Sequence, residues 1–232
     1  MRWPRSVPVG TFSAMTDVFS SGRAYARERS VSAIFGQTMF LVAVALGFLV
    51  AGTFIGRELD LGTARICSFA GFGMLLAQAF IRPLRYGTVG IGWLCALALM
   101  IGLGLGPVIG YLAAVQPGAL TAAAGGTALT VLGMGALGFA LSKDLAPWMR
   151  PLAIIVFGAV IVSLLGIVIG GLGGLSPVIS LIIFGASALL IMVDFNYIRK
   201  HATEDDVVWL ATGIFVSIVN IFLSLLNLFS SD

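Results

Sequence analysis

YGTVGIGWLCALALMIGLGLGPVIGYLAAVQPGALTAAAGGTALTVLGMGALGFALS, from Tyr86 to Ser142, runs for 57 residues without a charged side chain. A helix needs roughly 20 apolar residues to cross the hydrocarbon core of a bilayer, so this stretch is long enough for two. It holds one clear interruption, Gln116-Pro117-Gly118, and proline and glycine punctuate helices where a chain must turn. The reading is a helical hairpin through lipid. Barrel strands are excluded, because they alternate apolar and polar side chains over roughly 10 positions, and this run does not alternate. In lipid every backbone N–H and C=O needs an internal partner, which a helix supplies within one segment.

The same reading extends to both sides. Ser30–Gly56 is uncharged and holds one helix, over residues 33–55. Leu61–Ile81 holds a second, with Arg65 close to its start. Pro151–Val193 holds two more, broken by the glycine-rich segment Gly170–Pro177, and Val207–Ser231 holds the last. The expected fold is an all-α integral membrane protein with seven transmembrane helices over residues 33–230. A tail over residues 1–32 precedes it.

Composition agrees with lipid as the solvent. Of 232 residues 59% are hydrophobic and 10% charged, with a mean hydropathy of +1.08. Soluble domains carry about 25% charged residues. The net charge of +3 does not point to nucleic acid, because the basic residues sit at the ends of apolar runs. The tail has arginines but no apolar core, so it reads as a cytoplasmic segment rather than a cleaved signal. Counted through seven spans, 11 of the 13 basic residues fall on one side, and only Arg57 and Arg65 fall on the other. Basic loops stay in the cytoplasm, so the N-terminus is expected inside and the C-terminus outside.

Several side chains could carry function. Asp194 is the one carboxylate well embedded in an apolar run, and Ser180 and Ser187 precede it at intervals of seven, near one helix face. Ionisable residues within a span usually face the bundle interior. Pairing with Arg199 or Lys200, or solvation at the boundary, is the alternative. In the last span Gly213, Ser217, Asn220, Ser224 and Asn227 form one polar face. Such a stripe is costly against lipid, so this helix is expected at the centre of the bundle. Interhelical hydrogen bonding explains the stripe adequately, and lining a water path is the sharper option.

Small residues let helix backbones approach closely in lipid. Gly102, Gly106 and Gly110 in the third span, Gly166, Gly170 and Gly174 in the fifth, and Gly213 are therefore read as packing positions. Gly133-Met134-Gly135-Ala136-Leu137-Gly138 matches a dinucleotide fingerprint by letter, but no strand precedes it and it lies inside a span. No cofactor is expected. His201 is the only histidine, and Cys67 and Cys95 lie inside apolar segments, so neither metal ligation nor a catalytic triad is expected. The acidic run Glu204-Asp205-Asp206 reads as a solvated loop. Enzyme activity is not expected.

Three sets of residues carry a resemblance. They are Ala188-Leu189-Leu190-Ile191-Met192-Val193-Asp194 ending the sixth span, the Asn-bearing run Phe215–Leu226, and Gly125-Gly126-Thr127-Ala128-Leu129 with Ser142-Lys143-Asp144 and Leu105-Gly106-Pro107. They resemble the Bax inhibitor-1 family, and the last run is most similar to its bacterial YccA-like branch. The resemblance implies a seventh helix wrapped by the other six, in a bacterial inner membrane. It implies two activities. One is binding and modulation of a membrane quality-control protease of the FtsH type, which is the preferred expectation. The other is a pH-sensitive calcium leak gated by two aspartates, one in each of the last two helices. Asp194 matches the first aspartate, while Ser217 stands where the second is found, with Asn220 one turn on. A single carboxylate cannot share a proton with a hydroxyl as two carboxylates do.

Overall fold

The computed structural model describes residues 9–169 and 176–230, with side chains from Ser30 onward except 164, 167–169 and 176. Among the described residues there are seven helices long and apolar enough to cross a membrane, and no strand. They are α1 (Val9–Ile55), α2 (Leu61–Phe80), α3 (Gly87–Val115), α4 (Pro117–Ala140), α5 (Met149–Ile169), α6 (Ser176–Lys200) and α7 (Val207–Ser230). The break between α3 and α4 falls at Gln116, and Pro117 opens α4. The expected break at Gly170–Pro177 lies largely outside the described residues.

α1 differs from expectation in length. The span it enters, Ser30–Glu58, includes the 3-10 turn Gly56–Glu58 that follows it, yet the helix begins at Val9, directly after Pro8. No proline occurs again before Pro83, so nothing removes a backbone donor that would end it earlier. At a rise of 1.5 Å per residue its 47 residues span about 70 Å, more than twice the hydrocarbon thickness. One end must project from the membrane.

The remaining ends have local causes. Asp60 caps α2, accepting from Thr63 N at 2.9 Å and Thr63 Oγ1 at 2.6 Å. These bonds hold its carboxyl below the usual carboxylate range. Gly87 opens α3 with φ +59°, a conformation that suits glycine. The acidic run before α7 is a cap: Thr203 N donates to Asp206 Oδ2 at 2.9 Å, and the Thr203 hydroxyl meets the same oxygen at 2.8 Å. Carboxylates there also suit the positive end of the helix.

α1 and α3 cross on glycine. A methyl at Gly102 would strike the Leu49 carbonyl, and one at Gly106 would stand 2.7 Å from Gly56 Cα. The contact is reciprocal. A methyl at Gly52 would lie 2.5 Å from Leu99 O, and one at Gly56 would lie 2.5 Å from Leu103 O. Leu103 O is the carbonyl that Pro107, inside α3, leaves without its helical donor. Gly110 makes no such approach, since a methyl there would meet only the Arg57 side chain at 3.5 Å. On its other side α3 meets α2, where Gly104 faces Ser68. Gly135 and Gly138, the second and third glycines of the fingerprint-like run, lie in α4 against Phe195 and Met192 of α6, while Gly133 meets nothing within 4 Å. Two of its three glycines are packing positions.

The core joins α1, α3, α4, α6 and α7, with Phe215, Ile214, Ile221 and Ala211 of α7 fully buried within it. α7 is the most enclosed span. α5 packs on α6 through Leu152 and Val156. α2 and α5 face each other across a gap bridged by Phe72 and Phe157, whose rings stack at 5.4 Å.

Candidate functional site

α6 and α7 run antiparallel, and two contacts fix their register. Asn227 Nδ2 donates to Ser180 Oγ at 3.1 Å, and a methyl on Gly213 would stand 3.6 Å from Asp194 Oδ2. The same register sets Ser187 level with Asn220 and Leu190 level with Ser217. The polar positions singled out in the two helices therefore lie along one seam.

Asp194 is 5% exposed. Arg199 donates instead to Leu141 O at 2.6 Å, and Lys200 to Ser142 O. Among the described residues no hydrogen bond or ion pair reaches the Asp194 carboxylate. Both the salt-bridge reading and the solvated-boundary reading of this residue are therefore replaced by burial beside Gly213. Ser187 is fully buried, and its hydroxyl has no partner among the described residues.

The stripe on α7 borders empty space. Two cavities of about 320 and 300 Å³ lie along it, between α7 and the walls supplied by α2 and α5. They share Phe72, Leu75, Val160, Val216 and Asn220, and so form one cleft. Gly213, Ser217 and Asn220 line its first half, and Asn220, Ser224 and Asn227 its second. Leu190, one turn before Asp194, lines the first half, which places the carboxylate just behind the wall. Apart from Asn227, the stripe side chains make no hydrogen bond among the described residues. The stripe thus borders the cleft along its length and bonds across to α6 at Asn227. Polar groups turned into a lipid-embedded cavity are costly unless a partner fills it.

The packing glycines divide. Gly102 and Gly106 hold the α1–α3 crossing, Gly110 has spare room, and Gly213 lies exposed on the cleft beside Asp194. Gly166 lies near the end of α5, half-exposed. Gly170 and Gly174 fall outside the described residues.

Two buried amides were not legible as site residues. Asn196 is fully buried, donates to Gly138 O and Leu141 O at 3.1 Å each, and accepts from Leu145 N at 3.0 Å. It pins the α4–α5 connection to the end of α6. The connection is further tied by His201 Nε2 to Asp144 Oδ2 at 2.8 Å. Gln78, 4% exposed, donates from Nε2 to Leu84 O at 3.2 Å and to Thr212 Oγ1 at 3.1 Å, joining α2 to α7. The available signal was their position: each is an isolated amide near the end of an apolar run, close to a basic connection. Among the described residues no cluster of His, Cys, Asp and Glu is grouped to hold a metal ion.

Comparison with known sequences supplies an independent finding. A family model described as "Inhibitor of apoptosis-promoting Bax1" matches residues 31–232. An uncharacterized protein of Pseudomonas aeruginosa, PA2604, is 28% identical over 213 residues, covering 89% of this chain and 92% of its own length.

Proposed function

This chain belongs to the Bax inhibitor-1 family, and from that premise we propose that it is a slow cation leak, of the calcium type, along the α7 stripe. The reading places it in a bacterial inner membrane without enzymatic activity, metal or cofactor. The observation that carries it is the continuity of the cleft, which passes beside Asp194 and is lined by Ser217, Asn220 and Ser224, whose side chains make no hydrogen bond among the described residues. Uncharged polar groups in one line can coordinate an ion that has shed part of its hydration shell. Asp194 is the titratable group on that line. With Ser217 where a second carboxylate would complete a pair, the pH response is that of a single site.

The test is calcium flux into liposomes holding the purified protein, followed against pH. The natural chain gives a slow leak with a shallow, one-proton pH profile, and Asp194→Asn removes the pH dependence. An unchanged leak and profile in Asp194→Asn would sink this reading.

A second reading, modulation of an FtsH-type protease, is favoured by the projecting end of α1. A helix continuing past the membrane over residues 9–29 is a ready contact arm for a membrane-bound partner. Deleting residues 2–29 should abolish co-purification with the protease if that arm is the contact. Retained association would remove the arm from the mechanism, and no association with the full chain would remove the role.

A further inference from the structure

The end of the cleft nearest the α2–α3 connection has a composition that water alone does not explain. Phe72, Leu75, Val156 and Val160 give it apolar walls, and it opens between α2 and α5, where Ala79, Ala153 and Phe157 stay exposed. In a membrane that opening faces acyl chains. At its rim are two polar features with unused capacity. Gln78 lines the cavity and is almost fully buried, yet its Oε1 has no hydrogen-bond partner among the described residues. The amide orientation is fixed, because its Nε2 meets Leu84 O, which can only accept. Oε1 is thus an acceptor that needs a donor. Arg85 also lines the rim and closes the end of α2, its Nε donating to Gln78 O at 2.7 Å and its Nη2 to Ala79 O. Its Nη1 remains free of protein acceptors among the described residues. Trp209, in the first turn of α7, borders the same rim, and tryptophan favours the head-group level of a bilayer.

A cavity with apolar walls, a cationic donor and an orphan acceptor at head-group depth is complementary to one kind of molecule. We propose that this mouth is a phospholipid site. One acyl chain lies between α2 and α5 against Phe72, Leu75 and Val160. Arg85 Nη1 binds the phosphate, and a head-group hydroxyl or ammonium donates to Gln78 Oε1. Basic pockets between spans are a known setting for such recognition. The lipid site lies in the first half of the same cleft and does not rest on the leak reading: cross-linking reads the lipid and flux reads the leak, so either can fail alone.

The experiment uses the full chain in vesicles of phosphatidylethanolamine and phosphatidylglycerol. The probe is phosphatidylglycerol with a photoactivatable diazirine on its acyl chain, and labelled peptides are mapped by mass spectrometry. Label should concentrate on residues 71–79 of α2 and 153–160 of α5. Arg85→Gln removes a charge-assisted contact and should weaken probe binding by roughly tenfold. Arg82→Gln, at an exposed neighbour that does not line the cavity, should leave it unchanged. Ala153→Phe fills the opening from an exposed position and should exclude the probe without touching the core or either head-group contact. A diazirine diacylglycerol lacking the phosphate should label the same residues far less. Label spread evenly over lipid-facing residues such as Leu129 and Leu132 of α4 overturns the site. So do equal losses in Arg82→Gln and Arg85→Gln, which would reduce the effect to surface charge. Equal labelling by the phosphate-free probe overturns the head-group assignment.

Discussion

Asn196 shows what one buried amide does when it is fully used. Three hydrogen bonds tie it to Gly138, Leu141 and Leu145, so Asn196→Ala strands the Leu145 N–H and the Gly138 carbonyl, while Leu141 O keeps Arg199 as a donor. The expected loss is about 2–4 kcal/mol, read as a lower unfolding temperature in detergent. Ser217 is informative in the opposite sense. Side chains on a helix lean toward its N-terminus, so in antiparallel helices Asp194 and position 217, one turn apart in level, lean toward each other. Ser217→Asp should therefore create a coupled carboxylate pair and steepen the pH profile of calcium flux; an unaltered slope would show that the two side chains do not meet. Asp144 gives a third expectation, outside the membrane. The Ala146 N–H, then His201, hold its carboxyl below the usual carboxylate range. Its folded value lies below its unfolded one. The stabilisation is therefore present above the ordinary carboxylate range and fades as pH falls through the lowered value. The pair is about half exposed, so the effect is local and small. Corrected for the intrinsic slowing of exchange in acid, the protection of amides 142–148 should fall as pH drops through the lowered carboxylate range, and Asp144→Asn should remove that dependence.

Among the elements, the α1–α3 crossing offers the sharpest comparison. Gly106→Ala pushes a methyl into the backbone of Gly56, with Gly56 O 2.6 Å away. Neither helix axis can give without losing the Gly52 and Gly102 contacts as well, and overpacking of this kind costs about 1–3 kcal/mol. Gly47→Ala, on the same α1 but with nothing within 4 Å of the added methyl, should be neutral or slightly stabilising, since alanine is the better helix former. Thermal unfolding of the two variants side by side separates a packing role from mere glycine content. Equal behaviour would remove the crossing as the reason for these glycines.

For the whole molecule, the alternation of seven successive spans places the projecting end of α1 on one face with the α2–α3, α4–α5 and α6–α7 connections. Among the described residues, all the basic side chains except Arg57 and Arg65 belong to the segments on that face. The asymmetry predicts that it is cytoplasmic. Reporter fusions after Arg85 and after Lys143 should read as inside, and one at Gln116 as outside. An inside reading at Gln116 would contradict the hairpin formed by α3 and α4.

The sequence by itself determined the seven spans, the break at Gln116 and the gathering of basic residues on alternate connections. Hydrophobic length and charge are properties of each segment alone, and lipid enforces helix on any such segment. It also placed Asp194 and the α7 stripe on helix faces, because helical periodicity is local. It could not say what those faces meet. Only the tertiary structure decided that Gly102 and Gly106 touch a neighbouring backbone while Gly110, at the same spacing, does not. It likewise turned the stripe toward a cleft between α2 and α5, and it spent Arg199 and Lys200 on the carbonyls of Leu141 and Ser142 rather than on Asp194. Gln78 and Asn196 look alike in sequence, each an amide near the end of an apolar run. One is fully bonded and the other keeps a free acceptor, because bonding depends on which helices pack beside each side chain, and that is settled by contacts between residues far apart in the chain.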